Sequence, residues 1–224
     1  MEEKRQARLI LLVVVLCALA MSLVDGVLNP SYPVKSGIKI VLFLVLPLIV
    51  YYRKNPGRLK KLFQTGKLPW RAILLGLGVC GVIVGGYFVL RPYYDFSGIV
   101  GQLASGEGVN AGNFLYIGTY IAVVNSLLEE FFFRGFAFLT LRELVGKRTA
   151  FCFSAAAFAL YHVGMTTGWF SPALFVLALA GLFVGGCLFN LLDARPGNLW
   201  TSWLVHFFAN AGINIVGCIL MGIF

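Results

Sequence analysis

Glu129 and Glu130 stand side by side in an apolar stretch, and Arg134 follows four residues after the second. Two further apolar stretches are interrupted by His162 and His206, the only histidines of the chain. A charged group near a bilayer centre costs at least about 2.5–3.5 kcal/mol on insertion scales, so these residues must face protein or water rather than lipid. Their spacing separates their jobs. An acid four residues before a base is the favourable order for a helical ion pair, which assigns Glu130 to Arg134. Glu129 points about 100° away around the same helix and is free to aim at something else. His206 and Asn210 share one helix face by the same spacing, and so do Phe158 and His162. One reading of such a set is a polar network that holds helices together. Another is a wet, reactive site, either an enzyme or a proton path through the membrane.

The elements that must position these groups follow from composition. Hydrophobic residues make up 59% of the 224 and charged residues 12%, with a mean hydropathy of +0.87. Soluble domains carry roughly twice that share of charge. Apolar runs are drawn at 9–24, 38–52, 72–90, 114–139, 149–163, 172–192 and 199–224. Most can cross a hydrocarbon core about 30 Å thick. Strands would leave backbone groups unpaired in lipid, and the runs lack the alternation of a barrel. The expected fold is therefore all-α, a polytopic transmembrane helical bundle of about seven spans, with six to eight allowed. Lys39, near the start of its run, is expected to snorkel to the interface. A Gly-rich external loop over 91–112 divides the chain into an amino-terminal part, 1–112, and a core, 113–224, that holds the site residues. A short helix is expected in that loop near 96–104.

The net charge of +9 does not make this a nucleic-acid protein. Fourteen basic residues fall on alternating connections on one side, including Arg53, Lys54, Arg58, Lys60, Lys61, Lys67 and Arg71, against Lys35, Lys39 and Arg91 on the other. The positive-inside rule makes the richer side cytoplasmic, with the amino terminus inside. Basic residues, an apolar stretch from Leu9 and Ala18-Leu19-Ala20 together resemble a cleavable signal, but the run continues to Val24 and the later spans alternate correctly, which favours a retained first helix. Cys17, Cys80, Cys152, Cys187 and Cys218 all fall in apolar runs without a C-x-x-C pair and read as packing residues.

The motifs in order are E-E-x-x-x-R at Glu129–Arg134, F-x-x-x-H at Phe158–His162 and H-x-x-x-N at His206–Asn210. The set resembles the CPBP family of intramembrane proteases, which includes CAAX prenyl proteases and bacterial bacteriocin-processing or Abi proteins. The resemblance covers about 114–215. It implies proteolysis in or at the edge of a membrane, most simply a bacterial cell membrane, on a peptide or a lipidated protein substrate. It makes Glu129 the catalytic glutamate, Glu130 and Arg134 a structural pair, and His162, His206 and Asn210 the remaining site residues. Peptide hydrolysis needs an activated water, a base and oxyanion donors. Glu129 beside His162 can polarise a water, while His206 and Asn210 can donate to the oxyanion. Glu129, His162 and His206 could instead hold zinc, leaving a fourth position for water. Asn210 is a poor zinc ligand and a good donor, and no H-E-x-x-H is present, which slightly favours the metal-free scheme. A proton-coupled transporter and a catalytically silent relative acting as a binding or immunity factor are the competing functions.

Overall fold

The structure is a computed structural model that describes residues 2–66 and 70–224. Among the described residues it is helical with no strand, the all-α polytopic bundle expected. Lys67 of the basic loop lies outside the described residues. Among the described residues six helices are long and apolar enough to cross a membrane: α1 Glu2–Leu28, α2 Tyr32–Lys54, α4 Trp70–Leu90, α7 Lys147–Thr166, α8 Pro172–Ala194 and α9 Trp200–Leu220. Short helices α3, Pro56–Leu62, and α5, Ser97–Glu107, lie in the connections. The second of these is the loop helix anticipated near 96–104.

The fourth expected span, drawn at 114–139, is α6, which is helical throughout 114–140 but differs in kind from the other six. It carries Glu129, Glu130 and Arg134, and every residue of Glu130–Thr140 is buried. A helix buried on all sides need not be apolar on all sides, because its surroundings are protein rather than lipid. Helices α1, α2, α7, α8 and α9 pack against it, whereas α4 packs on α9.

Aromatic packing fixes α6 against its neighbours. Phe43 of α2 stacks on Phe132 with ring centres 4.1 Å apart, and meets Phe133 and Tyr161 edge-on. Phe131, Phe132, Phe133, Phe136 and Phe138 are all fully buried. Each such ring pair contributes about 0.5–1.5 kcal/mol beyond its area, so this block holds the helix that carries both glutamates. Polar ties add direction. The Ser154 hydroxyl donates to the Phe133 carbonyl at 2.7 Å, and the Asn190 amide donates to the Phe151 carbonyl at 3.0 Å, linking α6, α7 and α8.

Two glycines set how closely α1 and α7 approach. A Cβ on Gly164 would collide with the backbone carbonyl of Ser22, and one on Gly26 would lie 3.0 Å from the Gly164 carbonyl oxygen. Small residues that let backbones touch drive helix association in lipid, where apolar burial gives no preference. The contact seats the stretch of α7 that bears His162.

Wide helical turns, closed by hydrogen bonds five residues apart, occur at Val24–Leu28, Val41–Val45, Ile121–Asn125 and Glu130–Thr140. The Thr140 hydroxyl follows the same spacing, donating to the Gly135 carbonyl at 3.0 Å. Such turns are rare and often mark functional sites. Each of the four contains or lies close to one of the polar residues Asp25, Lys39, Asn125 and Glu130.

Candidate active site

The structure brings α2, α6, α7 and α9 together around Glu129. Its Oε1 accepts hydrogen bonds from the Lys39 ammonium at 2.9 Å, the Asn125 amide at 2.9 Å and the Tyr161 hydroxyl at 3.2 Å. Its Oε2 lies 3.8 Å from His206 Nε2 and accepts no hydrogen bond among the described residues. His162 is buried near enough to act on the charge of Glu129.

Both imidazoles have one ring nitrogen committed to a partner other than Glu129. His162 Nδ1 lies 2.7 Å from the Phe158 carbonyl, which can only accept, so Nδ1 carries the proton. His206 Nδ1 lies 2.8 Å from Glu130 Oε1, and an ionised carboxylate imposes the same choice. Neutral His162 and neutral His206 therefore each keep a lone pair on Nε2. His206 also stacks on Phe189 with centres 5.0 Å apart and meets Phe158 edge-on. Asn210, one turn further along α9, donates at 3.4 Å to the Ile121 carbonyl of α6.

Glu130 has two partners. Its Oε2 lies 3.3 Å from Arg134 Nε, and both side chains are fully buried. The Arg134 guanidinium sits between the Phe158 ring at 4.2 Å and the Phe189 ring at 4.8 Å. Face-on aromatic rings attract a cation, more strongly when water is excluded. Glu130 thus links the buried cation to His206, a role beyond the ion pair read from spacing.

Residues 111–212 match the family described as Rce1-like, type II CAAX prenyl endopeptidases, over a little under half of the chain. This segment is Rce1-like. The match supports an intramembrane endopeptidase in general, as the resemblance to CPBP proteases implied, and the six long apolar helices fit an integral multi-pass membrane protein. No curated protein and no solved structure matches the chain.

Lys39 lies outside the Rce1-like segment and corrects the sequence reading. It does not snorkel: it is 8% exposed, and its ammonium also donates to Asn125 Oδ1 at 2.7 Å. The error came from the helix start. α2 begins at Tyr32, not near residue 38, which places Lys39 two turns inside the helix, about 10 Å along its axis. Lys35, one turn earlier on the same face, is also buried. Two lysines four apart, Lys35 just before the apolar run and Lys39 at its start, were the signal that could have found it. Tyr161 was legible only as the residue beside His162.

Asp193 is a second omission among the intramembrane groups. It is buried near the end of α8 and accepts hydrogen bonds from the Ser202 hydroxyl at 2.6 Å and the Ser202 amide at 3.2 Å. A carboxylate that receives first-turn amides satisfies donors the helix cannot and complements its dipole. It anchors the start of α9, one turn before His206.

The zinc set of Glu129, His162 and His206 does not fit this arrangement. An ammonium already sits on Glu129, where a dication would be repelled. Among the described residues no three of His, Cys, Asp and Glu converge as a metal would need.

Proposed function

We propose that the chain hydrolyses a peptide bond of a membrane-associated or lipidated substrate, with Glu129 as general base. The observation that carries this reading is the asymmetry of Glu129: one oxygen holds three donors and the other holds none. A water beside Oε2 attacks the scissile carbonyl as Oε2 takes its proton. The new C–O bond forms, and the carbonyl oxygen becomes an oxyanion. Asn210 donates to that oxyanion from its amide. His206 joins it from Nε2 when protonated, because Nδ1–H is committed to Glu130. Glu129 then gives its proton to the departing amine as the C–N bond breaks. His162 orients the water through the Nε2 lone pair that its bond to Phe158 leaves free.

The test is cleavage of a quenched fluorescent peptide, with and without a prenylated cysteine, by protein in liposomes. Wild type is expected to cleave and Glu129→Ala to be inactive; equal rates would end the proposal. Preference for the prenylated form would support a lipidated substrate. In this scheme 1,10-phenanthroline leaves the rate unchanged, and active protein carries no stoichiometric zinc. About one zinc per chain, lost in the Glu129, His162 and His206 variants but kept in Asn210→Ala, would overturn it.

The charge distribution supports a cytoplasmic amino terminus, and the bacterial cell membrane is what the resemblance to Abi proteins implies. With the five native cysteines replaced, a cysteine at the exposed Lys60 is expected to react with an impermeant thiol reagent only in inverted vesicles. Labelling from outside intact cells would reverse the orientation.

A further inference from the structure

The amino-terminal helices lie beyond the Rce1-like segment, yet one of them reaches the candidate base. Lys39 touches Glu129 Oε1 at 2.9 Å and Asn125 Oδ1 at 2.7 Å, and Asn125 returns its own amide to the same Oε1 at 2.9 Å. The three groups close a triangle that spans α2 and α6. The Lys39 ammonium also sits over the Tyr161 ring at 5.0 Å, and Tyr161 is the third donor to Oε1.

We propose that Lys39 is a positioning residue for Glu129: its ammonium, with Asn125 and Tyr161, commits Oε1 so that Oε2 alone is presented to water and to His206. The inference rests on the reading of Glu129 as the base. A carboxylate oxygen with three donors has no lone pair left for a fourth partner. Rotation of the carboxylate would break all three bonds at once, so the geometry of Oε2 is held by atoms on three helices. The charge balance also suits the reaction. When Oε2 takes the water proton, negative charge passes from Glu129 to the oxyanion, and the Lys39 cation remains in the same buried site to offset it. The charged and titratable groups that act on Glu129 are Lys39 from α2, Arg134 on its own helix, Tyr161 and His162 from α7, and His206 from α9.

The experiment measures kcat and KM on one reporter peptide, together with thermal midpoints, for Lys39→Met, Lys39→Arg, Glu129→Gln and the Lys39→Met/Glu129→Gln double variant. Lys39→Met is expected to lower kcat about 10²-fold, the penalty of a displaced catalytic group, with KM little changed. Lys39→Arg restores part of that loss, since it returns a cation. The double variant melts above Lys39→Met, because no charge is left stranded. Wild-type kcat in Lys39→Met, alongside an inactive Glu129→Gln, overturns the role of Lys39 and leaves the base intact. Full activity in Glu129→Gln overturns the base itself. Should Lys39→Met fail to fold, Asn125→Leu decides, since it opens the triangle without stranding a charge: reduced kcat at unchanged KM upholds the proposal, and wild-type kcat ends it.

Discussion

Glu129→Gln is expected to bring peptide cleavage down by about 10²–10⁴-fold, the usual contribution of a positioned general base. The amide keeps the volume and can still accept from Lys39 and Asn125 through one oxygen, but it takes up no proton. Spacing alone, which leaves Glu129 free of partners, predicts a variant that folds as well as wild type. The Lys39 contact at 2.9 Å alters that expectation. Glu129→Gln leaves a buried ammonium without its counter-charge, so its thermal midpoint should also fall. Activity assays in liposomes and a melting curve on the same preparation check both parts. An unchanged midpoint would show that the ion pair contributes nothing to stability.

Glu130→Gln has the largest expected effect on stability. It strands Arg134, which is fully buried and has no other carboxylate in contact among the described residues. Breaking a buried pair costs about 3–5 kcal/mol, a large part of a typical domain's stability. The Phe158 and Phe189 rings at 4.2 and 4.8 Å soften this cost without replacing a counter-charge. The same substitution loosens His206, whose Nδ1 lies 2.8 Å from Glu130 Oε1. A glutamine can offer that position an oxygen or an amide, so the imidazole is no longer held to one tautomer. Low yield, a depressed midpoint and reduced kcat in whatever folds are expected together. Wild-type melting with full activity would remove Glu130 from both roles.

Much of the bundle was legible from residue order. Apolar runs interrupted by basic loops predict helices because a backbone in lipid must satisfy its own hydrogen bonds. The i, i+4 pairs Glu130–Arg134, Phe158–His162 and His206–Asn210 lie on shared faces because helical geometry is local. The three motifs in order carried the family resemblance, which the match over 111–212 bears out. The two carboxylates and the guanidinium of α6 already required protein or water around them, since a charged group in lipid is costly.

Contacts between helices were decided only by the tertiary structure. Spacing relates residues of one helix and says nothing about which face of α2 meets which face of α6. That choice rests on close fits such as Gly164 against Ser22 and Phe43 against Phe132, and on the start of α2 at Tyr32. Between nearly uniform apolar surfaces, such fits rather than hydrophobicity select the partner. Hence Lys39, 90 residues from Glu129, could not be paired with it by any local pattern. Glu130 likewise gained its second partner from α9, and Asp193 found Ser202 across a connection. The residue types and their order determined which chemistry was available; the packing of α2, α6, α7 and α9 decided which atoms of Glu129 are held and which are left free.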